Sequence, residues 1–260
     1  MSEHRDRIEA AFSQQAAAFE DPHYNRIFTE DVKWLFEHLR ARPDDLVLDV
    51  AAGTGHVARA LAPFVRAVIA LDATEAMLRT GKAEADEVAL RNVVFQRGDA
   101  DALPFLDATF DVVVCRFAMH HFEAPAGPLA EMVRVLRPGG RLVVADLLAD
   151  EDAAVAAEQD RLERLRDPSH VRLLAADEIG VLMREAGLAS VTADARDIER
   201  ALGPWLRQSA APAAVADEVT AALRAEVEGG RATGLRPFEA DGELRFVHRF
   251  GALTGHRPGE

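Results

Sequence analysis

The stretch Leu46-Val-Leu-Asp-Val-Ala-Ala-Gly-Thr-Gly-His-Val-Ala-Arg-Ala-Leu-Ala62 decides the fold. Five residues with strand character, Leu46–Val50, run into a turn made of small residues. The chain then resumes at His56 with helical spacing. A glycine turn between a buried strand and a helix lets backbone approach a ligand closely. Gly53-Thr54-Gly55-His56-Val57-Ala58 matches the dinucleotide fingerprint when its last position is alanine, and Asp72 closes the next strand at the expected distance. A plain tight turn is the bland alternative. A triphosphate loop is disfavoured, because no Lys-Ser/Thr pair follows the glycines. Asp49, one residue from the strand's end, would repel an anion above it and welcome a cationic amine.

Outward from this turn, apolar runs alternate with helical stretches. Strands are predicted at 46–50, 67–71, 93–96, 112–115 and 141–146, with helices near 56–62, 75–85 and 129–136. Near-continuous apolar strands between helices predict a parallel sheet covered on both faces, and right-handed crossovers make it doubly wound. Residues 8–40 read as helical with a break at Glu20–Asn25. Beyond Asp146, helices are predicted over 151–167 and 175–188, the second capped by Asp177 and ended by Gly187. A sixth strand is predicted over 189–197, followed by helical spacing around Trp205 and over 214–228. Residues 236–255 alternate around Asp241-Gly242, a hairpin signal. One domain is expected: an N-terminal helical lid (1–44), a cofactor-binding core (45–150), and a C-terminal part (151–260) with a helical insertion at about 199–230.

Composition narrows the partners. The chain has 260 residues, 49% of them hydrophobic, and a net charge of −14 with no basic block. Nucleic acid is therefore not an expected partner. Cys115 is the only cysteine, so no internal disulfide forms, and a cytoplasmic setting is expected. From the sequence no apolar leader and no membrane-spanning run are expected. Histidine, cysteine and the acids are not clustered at metal-ligand spacing, so no metal is expected. Oligomeric state stays open, a homodimer included.

Three more stretches carry a resemblance. "FQRGDADALPF" puts Asp99 just past the third strand, "FDVVVCRFAMHHF" ends the fourth strand in a His-His pair, and "RVLRPGGRLVVAD" is a helix, a Pro-Gly-Gly stop and a fifth strand. With the glycine turn, this ordered set resembles the class I S-adenosylmethionine-dependent methyltransferases, nearest the ubiquinone/menaquinone-biosynthesis type. The resemblance covers residues 45 to 150 and is looser beyond. The family's pattern has glycine where this chain has Ala51, a mild departure.

The resemblance implies a Rossmann-like, mostly parallel seven-stranded sheet with an antiparallel last strand and a helical cap. It implies S-adenosyl-L-methionine as cofactor and a small-molecule methyl acceptor. The Gly53–Gly55 turn, with Ala51 and Thr54, would hold the methionine carboxylate through backbone N–H groups. Asp49 would meet the amino group and Asp72 the ribose hydroxyls. Ala73 and Met77 would pack on the adenine, although Met77 reads equally as helix core. Asp99, with Ala100 beside it, would take the adenine amino group, or serve as a turn residue. Arg116 and Phe117 begin the loop under the sulfonium. His121 or His120 would take a proton from the acceptor, with His121 favoured; the bland reading makes both pocket wall. Phe12, Phe19, Tyr24, His121 and Trp205 would enclose the acceptor. Cys115 reads as packing. A nicotinamide-dependent oxidoreductase, a non-catalytic S-adenosylmethionine-binding partner and a cyclisation enzyme on the same fold remain the rival readings.

Overall fold

A computed structural model describes residues 3–16, 18–21 and 32–259. Helix α1 (Glu3–Gln15), a 3-10 turn (Ala18–Glu20) and α2 (Val32–Leu39) precede the sheet. Then come β1 (Leu46–Val50), α3 (His56–Leu61), β2 (Ala67–Asp72), α4 (Glu75–Glu87), β3 (Val93–Arg97) and β4 (Phe110–Arg116). A 3-10 turn (Met119–His121) leads to α5 (Ala126–Val135), β5 (Leu136–Leu147), α6 (Ala153–Arg166) and α7 (Ala176–Glu185). The chain ends with β6 (Ala189–Ala201), α8 (Leu202–Gln208), α9 (Ala213–Val227), β7 (Phe238–Ala240) and β8 (Glu243–His256).

The sheet order is β3-β2-β1-β4-β5-β8-β6, and β7 pairs with β8 outside this path. β1 to β5 are parallel, while β8 lies antiparallel between β5 and β6. The expected doubly wound sheet is therefore present, with seven strands in the main path. The eighth, β7, is the short arm of the hairpin at Asp241-Gly242. Both turn residues have positive φ (53° and 76°), as a two-residue primed turn requires.

Strand order reverses between β1 and β4, which are neighbours although α3, β2, α4 and β3 separate them in sequence. Open α/β sheets bind ligands at this switch point, outside the carboxyl ends of the strands. The strands are buried on both faces because alternate residues serve two cores. Leu48, Val50, Val113 and Cys115 face α5 and α7 with Leu129, Met132, Ile179 and Met183. Val47, Val68, Val112 and Val114 face the other way, onto Leu35, Leu39, Val57 and Leu61. A third core joins α6, α8, α9 and β8 through Leu162, Trp205, Leu223 and Phe246, and gives the helical cap its own interior.

Two local expectations need correction. Asp177 does not cap α7: Ala175 holds the cap position without a side-chain bond, and Asp177 lies in the first turn. Its charge there still favours the positive helix end. The Arg137–Gly140 stretch falls within β5, not ahead of it, at a register shift opposite Phe110 and Val112. A Cβ at Gly140 would sit 2.9 Å from the backbone oxygens of Arg137 and Asp111, so the strand bends where only glycine fits. Gly187, at φ 99°, ends α7 as expected. Among the described residues no helix is long and apolar enough to cross a membrane.

Candidate active site

The turn after β1 reverses within five residues because three of them adopt left-handed backbone: Ala51 (φ 54°), Gly53 (57°) and Gly55 (75°). Each glycine answers a different need. A Cβ on Gly55 would lie 2.9 Å from the Phe95 ring, whereas one on Gly53 would meet nothing within 4 Å. Gly53 thus faces open space and lines the cavity described below, while Gly55 seats the turn on β3. Thr54 and Gly55 do not line the cavity. Thr54 is fully buried, and its carbonyl oxygen lies 2.1 Å from where a Cβ on Gly81 would project, which locks α4 to the turn.

The expected use of backbone donors changes. The Gly53 N–H donates to Asp72 Oδ2 (2.8 Å) and the Gly55 N–H to the Ala52 carbonyl (2.8 Å). These two groups are spent inside the protein, so at these residues the turn offers shape instead of donors. Asp72 also accepts from the Thr74 N–H through Oδ1 (2.8 Å). Each carboxylate oxygen keeps a lone pair for a further donor. Burial raises the Asp72 pKa against those backbone bonds. Among the described residues Asp49 accepts only the Ala58 N–H (3.1 Å). Burial lifts its pKa to about 7, the Ala58 bond and the Arg116 charge opposing, the Asp72 charge assisting.

A cavity of about 980 Å³ opens above these strand ends. It is bordered by Asp49, Ala51, Gly53, Asp72, Ala73, Met77, Asp99, Ala100, Arg116 and Phe117. The structure brings all of these sequence-predicted residues together. Phe117 has positive φ (54°), unusual for a bulky residue, and packs its ring 4.8 Å from Phe250. Helix α1 closes the cavity through His4, Ile8, Phe12 and Gln15, joined by Phe19. Arg5 pairs with Asp99 (2.7 Å) and Asp101 (3.1 Å), Arg97 with Glu9 (3.2 Å), and Glu20 with Arg59 (2.6 Å).

His120 and His121 also line the cavity. The His120 Nδ1–H meets Asp146 Oδ1 at 2.6 Å, and Asp146 also accepts the Leu147 N–H (2.7 Å). Burial opposes the charged ring, yet the Asp146 charge and hydrogen bond, with Glu163 and Asp167 further off, outweigh it and raise the His120 pKa. His121 behaves oppositely. Its ring lies 4.1 Å from that of His120, and burial, then the His120 charge, pushes its pKa down to about 3. The His121 Nδ1 lies 3.0 Å from the Ser169 carbonyl, and Ser169 Oγ–H donates to Asp167 (2.5 Å). The loop after α6 is further stitched to this turn by the Val171 N–H on the His120 carbonyl (2.9 Å).

Trp205 does not line the cavity. It is buried in the third core, 4.8 Å from Phe246, with the Arg166 guanidinium 4.6 Å over its ring. Arg166 itself lines the cavity. Tyr24 lies outside the described residues. Sequence reasoning missed Asp146, Asp167, Ser169, Arg200 and Gln208. Only Asp146, an acid ending a buried strand, gave a local signal. Cys115 is buried in β4, where burial pushes its thiol pKa well up, as packing predicts. Among the described residues no group of three His, Cys, Asp or Glu is placed to hold a metal ion.

Residues 48–144 match the model of a methyltransferase domain family. The chain belongs to the class I S-adenosylmethionine-dependent methyltransferases of the ubiquinone/menaquinone-biosynthesis type. It is 34% identical over 207 residues to the uncharacterized methyltransferase YcgJ of Bacillus subtilis, covering 79% of this chain and 81% of that one. The crystal structure of YcgJ superposes with a TM-score of 0.81 over 88% of this chain and 99% of that one, at 29% identity. A demethylmenaquinone methyltransferase of Renibacterium salmoninarum is 40% identical over 143 residues, covering 50% of this chain and 57% of that protein.

S-adenosylmethionine is the cofactor, and the nicotinamide alternative falls with this assignment. The residues present fit it. Asp49 is a buried carboxylate on the cavity wall with one hydrogen bond among the described residues, which suits a cationic amine. The space beside Gly53 leaves room for a ligand's backbone-sized group.

Proposed function

We propose that the protein methylates a small organic acceptor held between α1, the His120–His121 turn and the helical cap, giving S-adenosylhomocysteine. The observation that carries this reading is one cavity bordered by Asp49, Asp72 and Asp99 and by the His120–His121 pair. Its volume, about 980 Å³, is near the top of the range for small-ligand sites (~300–1,000 Å³) and accommodates a cofactor and a second molecule.

In this reading Asp49 takes the amino group, Asp72 the ribose hydroxyls and Asp99 the adenine amino group, while Ala73, Met77, Ala100 and Phe117 wall the site. The cofactor supplies a methyl group already activated on a sulfonium. The protein's share is orientation, exclusion of water and a place for the acceptor's proton. His121 suits that last role in a particular way. With a pKa of about 3 its ring stays unprotonated at working pH. It is a weak base, but an oxygen forming a bond to carbon becomes strongly acidic, so a weak, always-available base suffices.

Calorimetry with S-adenosylmethionine and S-adenosylhomocysteine tests the cofactor end. Asp72→Ala, checked for folding by thermal unfolding, is expected to weaken both by about 1.5–3 kcal/mol. Unchanged affinity would remove Asp72 from the site.

A further inference from the structure

A second, smaller cleft lies at the amino ends of the central strands, away from the carboxyl ends where the large cavity opens. Its volume is about 170 Å³, and its lining is Arg42 and Asp45 ahead of β1, Asp111 on β4, and Arg137 to Arg141 on β5. No residue lines both sites. The acids here are already engaged. Asp111 Oδ1 accepts from Arg137 (2.7 Å) and Oδ2 from the Leu46 N–H (2.8 Å), while Asp45 Oδ2 accepts the Arg42 N–H (2.8 Å). The cations are not. Among the described residues the guanidinium groups of Arg42, Arg141 and nearby Arg40 have no hydrogen-bond or ion-pair partner.

Carboxylates are in good supply, since the chain has 44 acidic residues against 30 lysines and arginines. Other arginines use them: Arg134 meets Glu131 and Asp107, and Arg161 meets Glu158 and Glu218. Arg141 differs from a solvated surface arginine, because its Nε is shut away from solvent without a bond. Burial lowers its pKa; Asp45 opposes, and the charges of Arg42 and Arg40 add to the lowering. Like charges gathered around a part-buried guanidinium repel one another, and an anion among them converts that repulsion into attraction.

We propose that this cleft binds a phosphate group, free or carried by a small molecule, between Arg42 and Arg141. The proposal does not depend on the methyltransferase reading. A guanidinium only donates, so its partner must bring lone pairs, and its planar fork matches the oxygens of phosphate or carboxylate. Charge selects between these two. Arg40, Arg42, Arg137 and Arg141 stand against Asp45 and Asp111, four cations against two anions. That surplus of two suits a phosphate group (about −1.5 to −2 near neutral pH) better than a singly charged carboxylate. Size limits what is attached, because the cleft is smaller than sites for whole drug-sized ligands (~300–1,000 Å³).

Calorimetry at constant ionic strength tests this, with inorganic phosphate and glycerol 3-phosphate as probes and chloride as the reference anion. Wild type should bind one phosphate saturably. The Arg42→Gln, Arg141→Met double variant should bind it at least about tenfold more weakly, having lost two charge-assisted partners. If the double variant unfolds early, Arg42→Gln alone, a change to an exposed side chain, carries the comparison. Arg224→Gln, an exposed change on α9, should leave binding intact. Comparable binding of glycerol 3-phosphate supports a carried phosphate, and binding of inorganic phosphate alone supports the free ion. Saturating S-adenosylhomocysteine should not displace either probe. No saturable binding to wild type, equal binding to the arginine variants, or displacement by S-adenosylhomocysteine would overturn the proposal.

Discussion

Asp49 has almost no solvent and, among the described residues, one hydrogen bond, so its charge in the ligand-free protein is expensive. Its folded pKa of about 7 lies above the ordinary carboxylate value. The sign follows: the carboxyl's contribution to stability is complete below the unfolded pKa and is lost as pH rises through about 7. Ligand-free Asp49→Asn should therefore lose less stability than the wild type between pH 5 and 8, by up to about 2.5 kcal/mol. Parallel denaturant titrations at the two pH values check this, and identical pH slopes would show that Asp49 is not buried as a charge. Ala51 carries a second local cost, a left-handed φ that alanine adopts poorly. Ala51→Gly relieves it, and is expected to gain about 0.5–1 kcal/mol in chemical unfolding after the flexibility of glycine is offset. Both residues were visible in the quoted stretch. Asp167 and Ser169 were not, because "RDPSH" reads as an ordinary turn and its partner His121 lies 48 residues away. Contacts of that span leave no periodic trace in sequence.

The central strands were legible as elements because burial on both faces leaves an unbroken apolar run, and the observed β1 spans the predicted residues, Leu46–Val50. The cap was less so. Helical spacing around Trp205 identified a helix, but the same spacing cannot distinguish an aromatic that faces a ligand from one that faces a small private core. The structure chooses the core, where Trp205 meets Phe246, Leu162 and Leu223. Trp205→Ala should cost about 3–5 kcal/mol of stability through the cavity it leaves. Thermal and denaturant unfolding measure it, and a loss below 1 kcal/mol would mean that α8 is not packed as described.

Across the whole molecule, the cavity is built by segments spread from α1 to α8, and α1 touches two parts of its wall. It meets one stretch through Arg5 on Asp99 and Asp101, and another through the His4 Nε2–H on the His121 carbonyl (2.8 Å). The sequence showed a helix there and suggested a lid, but not these contacts, since an amphipathic face does not name its partner. Arg5 is half exposed, at 50%, as are its acidic partners to similar degree. Such pairs are weak one by one and are screened by salt. The consequence concerns time, because a molecule enclosed beneath α1 leaves only as often as the helix lifts. Stopped-flow displacement of S-adenosylhomocysteine should show residence times that shorten as ionic strength rises. Arg5→Gln should shorten them at low salt and flatten the salt response, and exit rates indifferent to both would mean that departing ligands use a route that α1 does not guard.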